Sequence, residues 1–104
     1  MPAPATARDP FDALGDPQRR AILALLGTRD HSVQELADAL PITRPAVSRH
    51  LRVLKESGLV TDRPEGTRRL YALQAEGVDA VRAYIELVWG EAAARLKLVA
   101  DNRG

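Results

Sequence analysis

Basic side chains are concentrated between residues 44 and 69 of this 104-residue chain. Residues 44–69 contain seven basic and three acidic residues, so this segment carries a charge of +4 while the rest of the chain carries −3. A guanidinium group donates paired hydrogen bonds to a phosphate or to the edge of a guanine. The basic segment therefore predicts contact with a polyanion such as nucleic acid. A solvated surface of mixed charge is the alternative.

Few other residues suggest chemistry. The chain contains no cysteine, which excludes disulfides, thiolate metal sites and cysteine nucleophiles. Asp79, Glu86 and Glu91 form no pair near a candidate nucleophile, and no glycine-rich phosphate loop is present. We therefore expect a protein that is not an enzyme, with no catalytic residues, no cofactor and no bound metal.

The chain shows no targeting or membrane signal. Its N-terminus lacks the charged and apolar regions of a secretory signal, and the apolar run 21–26 is far shorter than the ~20 residues that span a bilayer. We expect a cytoplasmic protein with no membrane partner. Residues 1–8 are rich in Pro and Ala and are predicted to be a disordered tail, whereas residues 9–104 are predicted to form one domain.

Two predicted helices separated by a short turn carry part of the basic segment. Ser32 and Glu35 form a capping box, which opens a short helix that ends near Leu40. Thr43 is predicted to cap the next helix, and Pro45 lies in its first turn, where a missing amide costs nothing. A short capped helix, a turn and a second helix form a helix-turn-helix.

The second helix of this motif has two faces. Val47, Leu51 and Leu54 recur at helical spacing and are predicted to face the core. On the opposite face we expect Arg44 and Arg49 to contact bases in a major groove, which admits one helix. Other polar residues nearby have less defined roles. We expect Ser48 to contact a base or a phosphate, Arg52 and Gln34 to contact phosphate, and His50 either to contact phosphate or to pack locally.

A β-hairpin is predicted directly after the helix-turn-helix. Its strands cover 59–63 and 68–73, and the turn 64–66 places Pro64 at the second position and Gly66 where positive φ is allowed. Such a hairpin is a wing, which reaches phosphates or the minor groove. The alternative is that Arg68 and Arg69 only make the hairpin tip more soluble. The complete set of predicted DNA-contacting residues is Gln34, Thr43, Arg44, Pro45, Ser48, Arg49, His50, Arg52, Arg63, Thr67, Arg68 and Arg69.

One long helix is predicted over residues 75–101. A helix of this length extends beyond a 104-residue globule, so we expect its apolar stripe to pack against a second subunit. A short helix is also predicted over 9–14. The fold predicted is mainly α, with about five helices and a two-stranded wing, in a homodimer. On this helix the predicted dimer interface contains Val81, Tyr84, Ile85, Val88, Trp89, Ala92 and Leu96.

These motifs resemble those of the ArsR family of bacterial winged-helix repressors. Residues 13–23 (ALGDPQRRAIL) are similar to the opening signature of the family, and residues 44–54 (RPAVSRHLRVL) to its recognition helix. Gly58-Leu-Val, Gly66 and Tyr71 match its hairpin pattern. The resemblance implies a homodimer paired through the first and last helices, which adds Phe11 and Leu14 to the predicted dimer interface. It also implies that this dimer binds an inverted-repeat operator in double-stranded DNA and represses transcription, often of its own promoter, until a metal or another signal releases it.

The chain departs from the metal-sensing members of that family. Those members carry thiolates on the first helix of the motif, or His with Asp or Glu on the last helix, and this chain has neither. It is more similar to a metal-independent branch of autorepressors. A metal- or ligand-responsive repressor remains an alternative, as does a winged-helix module that binds proteins instead of DNA. His31, in a polar loop, is expected to be solvated.

Overall fold

The computed structural model describes residues 9–102 and confirms a mainly α fold with one two-stranded antiparallel hairpin. The predicted tail, residues 1–8, lies outside the described residues. In chain order the elements are α1 (Pro10–Ala13), α2 (Pro17–Leu26), α3 (Val33–Ala39), α4 (Arg44–Glu56), β1 (Val60–Glu65), β2 (Arg68–Leu73), α5 (Ala75–Ile85), a π-helical segment (Glu86–Gly90) and α6 (Glu91–Asn102).

Side-chain caps set the starts of the first four helices. Asp9, Asp16, Ser32 and Thr43 each accept a hydrogen bond from a backbone amide in the first turn of the helix that follows. Ser32 belongs to a full capping box, because the Glu35 carboxylate also accepts from the Ser32 amide, at 2.9 Å. Each cap contributes about 1 kcal/mol, which matters for helices as short as α3.

The core lies where α2, α3 and α4 meet the base of the hairpin. Ile22, Leu36, Val47, Leu51 and Leu54 are fully buried and come from these three helices. The predicted inward face of α4 is therefore confirmed. Because that face is buried against α2 and α3, the opposite side of α4 is directed to solvent.

The hairpin turn differs from the prediction. Glu65 pairs with Arg68, so the loop contains only Gly66 and Thr67, and Pro64 lies within β1 instead of in the turn. Gly66 has φ +62°, and a glycine with positive φ at the first loop position is typical of a type II′ turn, whose twist matches antiparallel strands. Pro64 is tolerated because a two-stranded hairpin has only edge strands.

The prediction that His31 is solvated is wrong. Its side chain is buried, and its backbone forms an antiparallel bridge with Tyr71 through hydrogen bonds of 3.1 and 2.8 Å. His31 Nδ1 also lies 2.8 Å from the carbonyl oxygen of Arg29. The bridge brings the base of β2 to the N-terminus of α3, which positions the wing beside the helix-turn-helix.

The last helix runs from Ala75 to Asn102 without a break in helical structure, as predicted, but contains the π-helical turn at Glu86–Gly90. Its start packs closely on the loop after α4, because a Cβ atom added at Gly77 would overlap the Gly58 carbonyl oxygen. From Arg82 to Asp101 every residue except Ala92 is exposed. No helix within residues 9–102 has both the length and the apolarity needed to cross a membrane.

Candidate nucleic-acid interface

Helix α4 presents three arginines to solvent. Arg44, Arg49 and Arg52 are exposed, and within residues 9–102 their guanidinium groups make no ion pair and no hydrogen bond. Ser48 is exposed on the same helix. No donor of these guanidinium groups is taken up by another described residue, so the donors can meet an external acceptor, as contact with bases or phosphates requires.

The first turn of α4 contains further predicted contacts. Thr43 and Pro45 are exposed, and the Thr43 Oγ1 accepts from the Ala46 amide at 3.3 Å, which leaves its hydroxyl proton free to donate. On α3, Gln34 is exposed, but its Nε2 donates to the Asp38 carboxylate at 2.7 Å. Gln34 would have to exchange this partner for a phosphate in order to act as predicted.

A cleft of about 400 Å³ separates the wing from the helix-turn-helix. The N-terminal end of α3 forms one wall, the start of α4 another, and the tip and first half of β2 a third. The residues lining the cleft are Ser32, Val33, Gln34, Glu35, Arg44, Thr67, Arg68, Arg69 and Tyr71. The structure thus brings the predicted contacts Gln34 and Arg44 together with Thr67, Arg68 and Arg69 of the wing.

The arginines of the wing differ from those of α4, because each lies beside a carboxylate. Arg63 is 2.6 Å from Asp30, and Arg69 is 2.7 Å from Asp62. Arg68 makes longer contacts, 3.6 Å to Glu35 and 3.8 Å to Glu65. Each of the three wing arginines is therefore paired with a carboxylate within the protein. The spacing of basic residues in the sequence does not reveal these partners.

Asp62 joins the wing to α4. Its carboxylate is only 7% exposed and lies 2.7 Å from both the Lys55 Nζ on α4 and the Arg69 Nε on β2. Hydrogen bonds from Lys55 and Arg69, in that order of strength, lower the pKa of Asp62 below its usual value. Arg69, predicted only as a DNA contact, therefore also orients the wing relative to α4.

His50 makes a local contact, one of the two alternatives left open by the sequence. Its Nδ1 lies 3.4 Å from Arg19 Nη1, and Arg19 also donates to the Ala13 carbonyl oxygen at 2.8 Å. Arg19 therefore ties the α1–α2 connection to α4. Because a guanidinium only donates, the Nδ1 of His50 is the acceptor in this contact, which leaves the proton of a neutral ring on Nε2.

Three residues of this region have contacts that the sequence did not predict. Arg29 pairs with Glu35 at 3.0 Å at the edge of the cleft, Lys55 pairs with Asp62, and Arg19 contacts His50. Arg29 and Lys55 are basic residues next to predicted helix or strand ends, but nothing in their spacing identifies the carboxylate that each one meets.

The predicted dimer residues fall into two groups. Leu14 and Val81 are half-buried and pack against the core. The rings of Phe11 and Tyr84 lie 4.7 Å apart, so α1 and α5 are in contact there. The others lie along the last helix. Ile85, Val88, Trp89 and Leu96 are exposed there, and Ala92 is half-buried in a shallow groove of about 310 Å³.

Trp89 is 63% exposed and Leu96 is 71% exposed. Side chains of this size are rarely left in water as a continuous stripe.

Among the described residues there is no group of three or more His, Asp or Glu side chains that could hold a metal ion.

An exposed arginine-bearing helix, braced by a second helix and flanked by a wing, defines the class of winged helix-turn-helix DNA-binding proteins. Residues 16–62 match the sequence model described as bacterial regulatory protein, arsR family. The chain is also 44% identical over 103 residues to the HTH-type transcriptional regulator Rv2034 of Mycobacterium tuberculosis, with 96% of each chain covered. The chain therefore belongs to the arsR family of bacterial regulatory proteins.

Two further comparisons agree with this assignment. The transcriptional repressor SdpR of Bacillus subtilis is 36% identical over 63 residues, which cover 61% of this chain and 70% of that protein. The fold is similar to a solution structure of the homodimeric winged helix-turn-helix DNA-binding domain of Mb0332 from Mycobacterium bovis. The TM-score is 0.65, the identity is 34%, and the match covers 78% of this chain and 75% of the other.

Proposed function

We propose that this DNA-binding transcriptional regulator acts as a homodimeric repressor, which binds an inverted-repeat operator, with its own promoter as the first candidate. The observation that carries the proposal is the outer face of α4. Its three arginines have no anionic partner within residues 9–102, whereas all three arginines of the wing have one. Helix α4 thus carries cations that are available for a sequence-reading contact.

The roles of the individual residues follow from their position on α4. Arg44 and Arg49 lie in its first two turns, which meet base edges when a recognition helix enters the major groove. Ser48, between them, contacts a base or a phosphate. Arg52 lies further along the helix and contacts phosphate, as do the exposed residues of the wing tip. Phosphate contacts position the protein, and the two α4 arginines provide the sequence preference.

Dimerisation is supported by the last helix. Its exposed side chains Ile85, Val88, Trp89 and Leu96 recur at helical spacing along more than two turns. A second copy of the same helix, related by a two-fold axis, would cover them. In such a dimer, the two α4 helices would bind half-sites about 34 Å apart, one turn of DNA. The Mb0332 domain, of similar fold, is described as homodimeric.

Repression is supported by the family and by its relative SdpR, which is named a repressor. A small dimer that covers about two turns of DNA represses by occupying the promoter. Residues 9–104 would then be one unit, in which the helix-turn-helix reads DNA while α1, α5 and α6 form the dimer. We also propose that operator binding needs no metal, since the chain has no cysteine.

The experiment is a mobility-shift titration with the DNA directly upstream of the protein's own gene, at two salt concentrations. We expect tight binding that survives an excess of unrelated DNA and weakens steeply with salt, because phosphate contacts release counterions. Footprinting would then show two symmetric half-sites. Binding that unrelated DNA removes completely would contradict autoregulation through this promoter.

A further inference from the structure

Glu35 carries the one carboxylate among the residues that line the cleft, where the other charged side chains are arginines. Its Oε2 accepts from Arg29 Nη1 at 3.0 Å, and its Oε1 lies 3.6 Å from Arg68 Nη1. Arg44 lines the same cleft. A phosphate of bound DNA at this place would meet the same donors that Glu35 now occupies.

The capping box holds Glu35 in position. Its Oε1 accepts from the Ser32 amide at 2.9 Å, and the Ser32 hydroxyl accepts from the Glu35 amide at 3.2 Å. The hydrogen bond from Ser32, followed by that from Arg29, lowers the pKa of Glu35 to about 2. The carboxylate is therefore charged at every pH at which DNA binding is measured.

We propose that Glu35 is an internal competitor for DNA phosphate. In the DNA-free protein its carboxylate holds Arg29 and Arg68, and a backbone phosphate takes its place at Arg68 when DNA binds. The inference rests on the proposed DNA-binding function and specifies how that site is regulated. Its effect is to lower the affinity for DNA of any sequence, because each complex must first break this contact.

The contacts of Arg68 and Arg69 explain why the exchange takes place at Arg68. Arg68 contacts Glu35 at 3.6 Å and remains half-exposed. Arg69 makes a 2.7 Å hydrogen bond to Asp62, which is 7% exposed and shared with Lys55. A long, exposed ion pair is weak, so a phosphate replaces it easily, whereas the short pair of Arg69 stays in place.

Glu35→Gln tests the proposal without removing the cap, because the glutamine Oε1 still accepts from the Ser32 amide. The assay is anisotropy of a labelled duplex of unrelated sequence at low salt. We expect the variant to bind more tightly than the parent protein by up to about fivefold, the upper end of what exposed ion pairs contribute. Asp79→Asn is the matched control: it also removes one carboxylate beside an arginine, Arg82 at 3.5 Å, but on α5 outside the cleft.

A double-mutant cycle shows whether the gain passes through Arg68. In an Arg68→Ala background, Glu35→Gln should give less than half of its effect. The proposal is overturned if Glu35→Gln binds no better than Asp79→Asn, or if the full gain persists without Arg68. Failure of the parent protein to bind any duplex would instead overturn the proposed function itself, so the two failures are distinguishable.

Discussion

Replacing Asp62 by asparagine should loosen the joint between the wing and α4. Asp62 is 7% exposed and accepts hydrogen bonds of 2.7 Å from Lys55 and Arg69. A hydrogen bond to a charged group contributes about 1.5–3 kcal/mol. Both cations are half-exposed and regain water, so we expect Asp62→Asn to lower the free energy of unfolding by about 2 kcal/mol in total. For a domain of this size the melting temperature falls by roughly 10 °C.

The pH dependence of this difference identifies its cause. Because the folded protein lowers the pKa of Asp62 below 3.8, the carboxylate stabilises the fold fully above that value, and the stabilisation is lost as the pH falls through the folded pKa. Asparagine does not titrate. The gap between the parent protein and Asp62→Asn should be constant from pH 7 to pH 5 and shrink below about pH 4.

The assay is urea unfolding followed by circular dichroism, at one protein concentration and at several pH values. Asp79→Asn is the control, since Asp79 is exposed and has a single partner at 3.5 Å. A loss for Asp62→Asn no larger than that for Asp79→Asn would refute the reasoning. So would a loss that stays the same at pH 3, because a titrating carboxylate could not then be its source.

Three further predictions concern packing, assembly and metal. Gly77→Ala should destabilise the fold by about 2 kcal/mol or more, because the added Cβ meets backbone atoms of Gly58 that cannot move away. Gly90→Ala is the control in the same unfolding assay. No atom lies within 4 Å of its added Cβ, so it should be neutral or stabilising. Trp89→Ala should raise the dimer dissociation constant at least tenfold in sedimentation equilibrium while the helix content stays unchanged, and an unaltered constant would exclude Trp89 from the interface. Adding zinc, copper or a chelator should change the operator affinity by less than about twofold in anisotropy titrations. The reason is that metal sites of high affinity use thiolate or imidazole ligands, which the chain does not place together. A larger change would favour a metal-responsive repressor.

Local signals predicted the elements of this fold well. Ser32, Thr43 and Asp16 cap helices as expected, because a cap depends on residues within one turn. The two faces of α4 followed from the spacing of Val47 and Leu51, since helical periodicity determines which side is buried.

Contacts between distant residues could not be read from the sequence. Arg63 and Asp30 are 33 positions apart in the sequence, and their ion pair lies where the His31–Tyr71 bridge joins the hairpin to the loop before α3. The ion pairing of the wing arginines was therefore not predictable from the spacing of residues in the sequence. The same bridge buries His31, which a local interpretation places in solvent.

The position of the hairpin turn and the presence of the π-helical segment could not be predicted for a different reason. Pro64 and Gly66 are both typical turn residues, and only the strand register shows that the loop begins at Gly66. The wider helical turn at Glu86–Gly90 has no distinctive residue types, and the apolar spacing around it resembles that of an ordinary α-helix.

The most direct test of the account compares Arg49→Ala with the parent protein on the footprinted operator and on duplexes altered at one base pair at a time. We predict that the variant binds the operator more weakly and no longer discriminates at one position in each half-site, which corresponds to about 1–3 kcal/mol of lost preference. Arg20→Ala, at an exposed arginine on α2, is the control. Equal weakening on every duplex would contradict base reading by Arg49 and make it a phosphate contact, and unchanged binding would contradict the assignment of α4 as the DNA-reading helix.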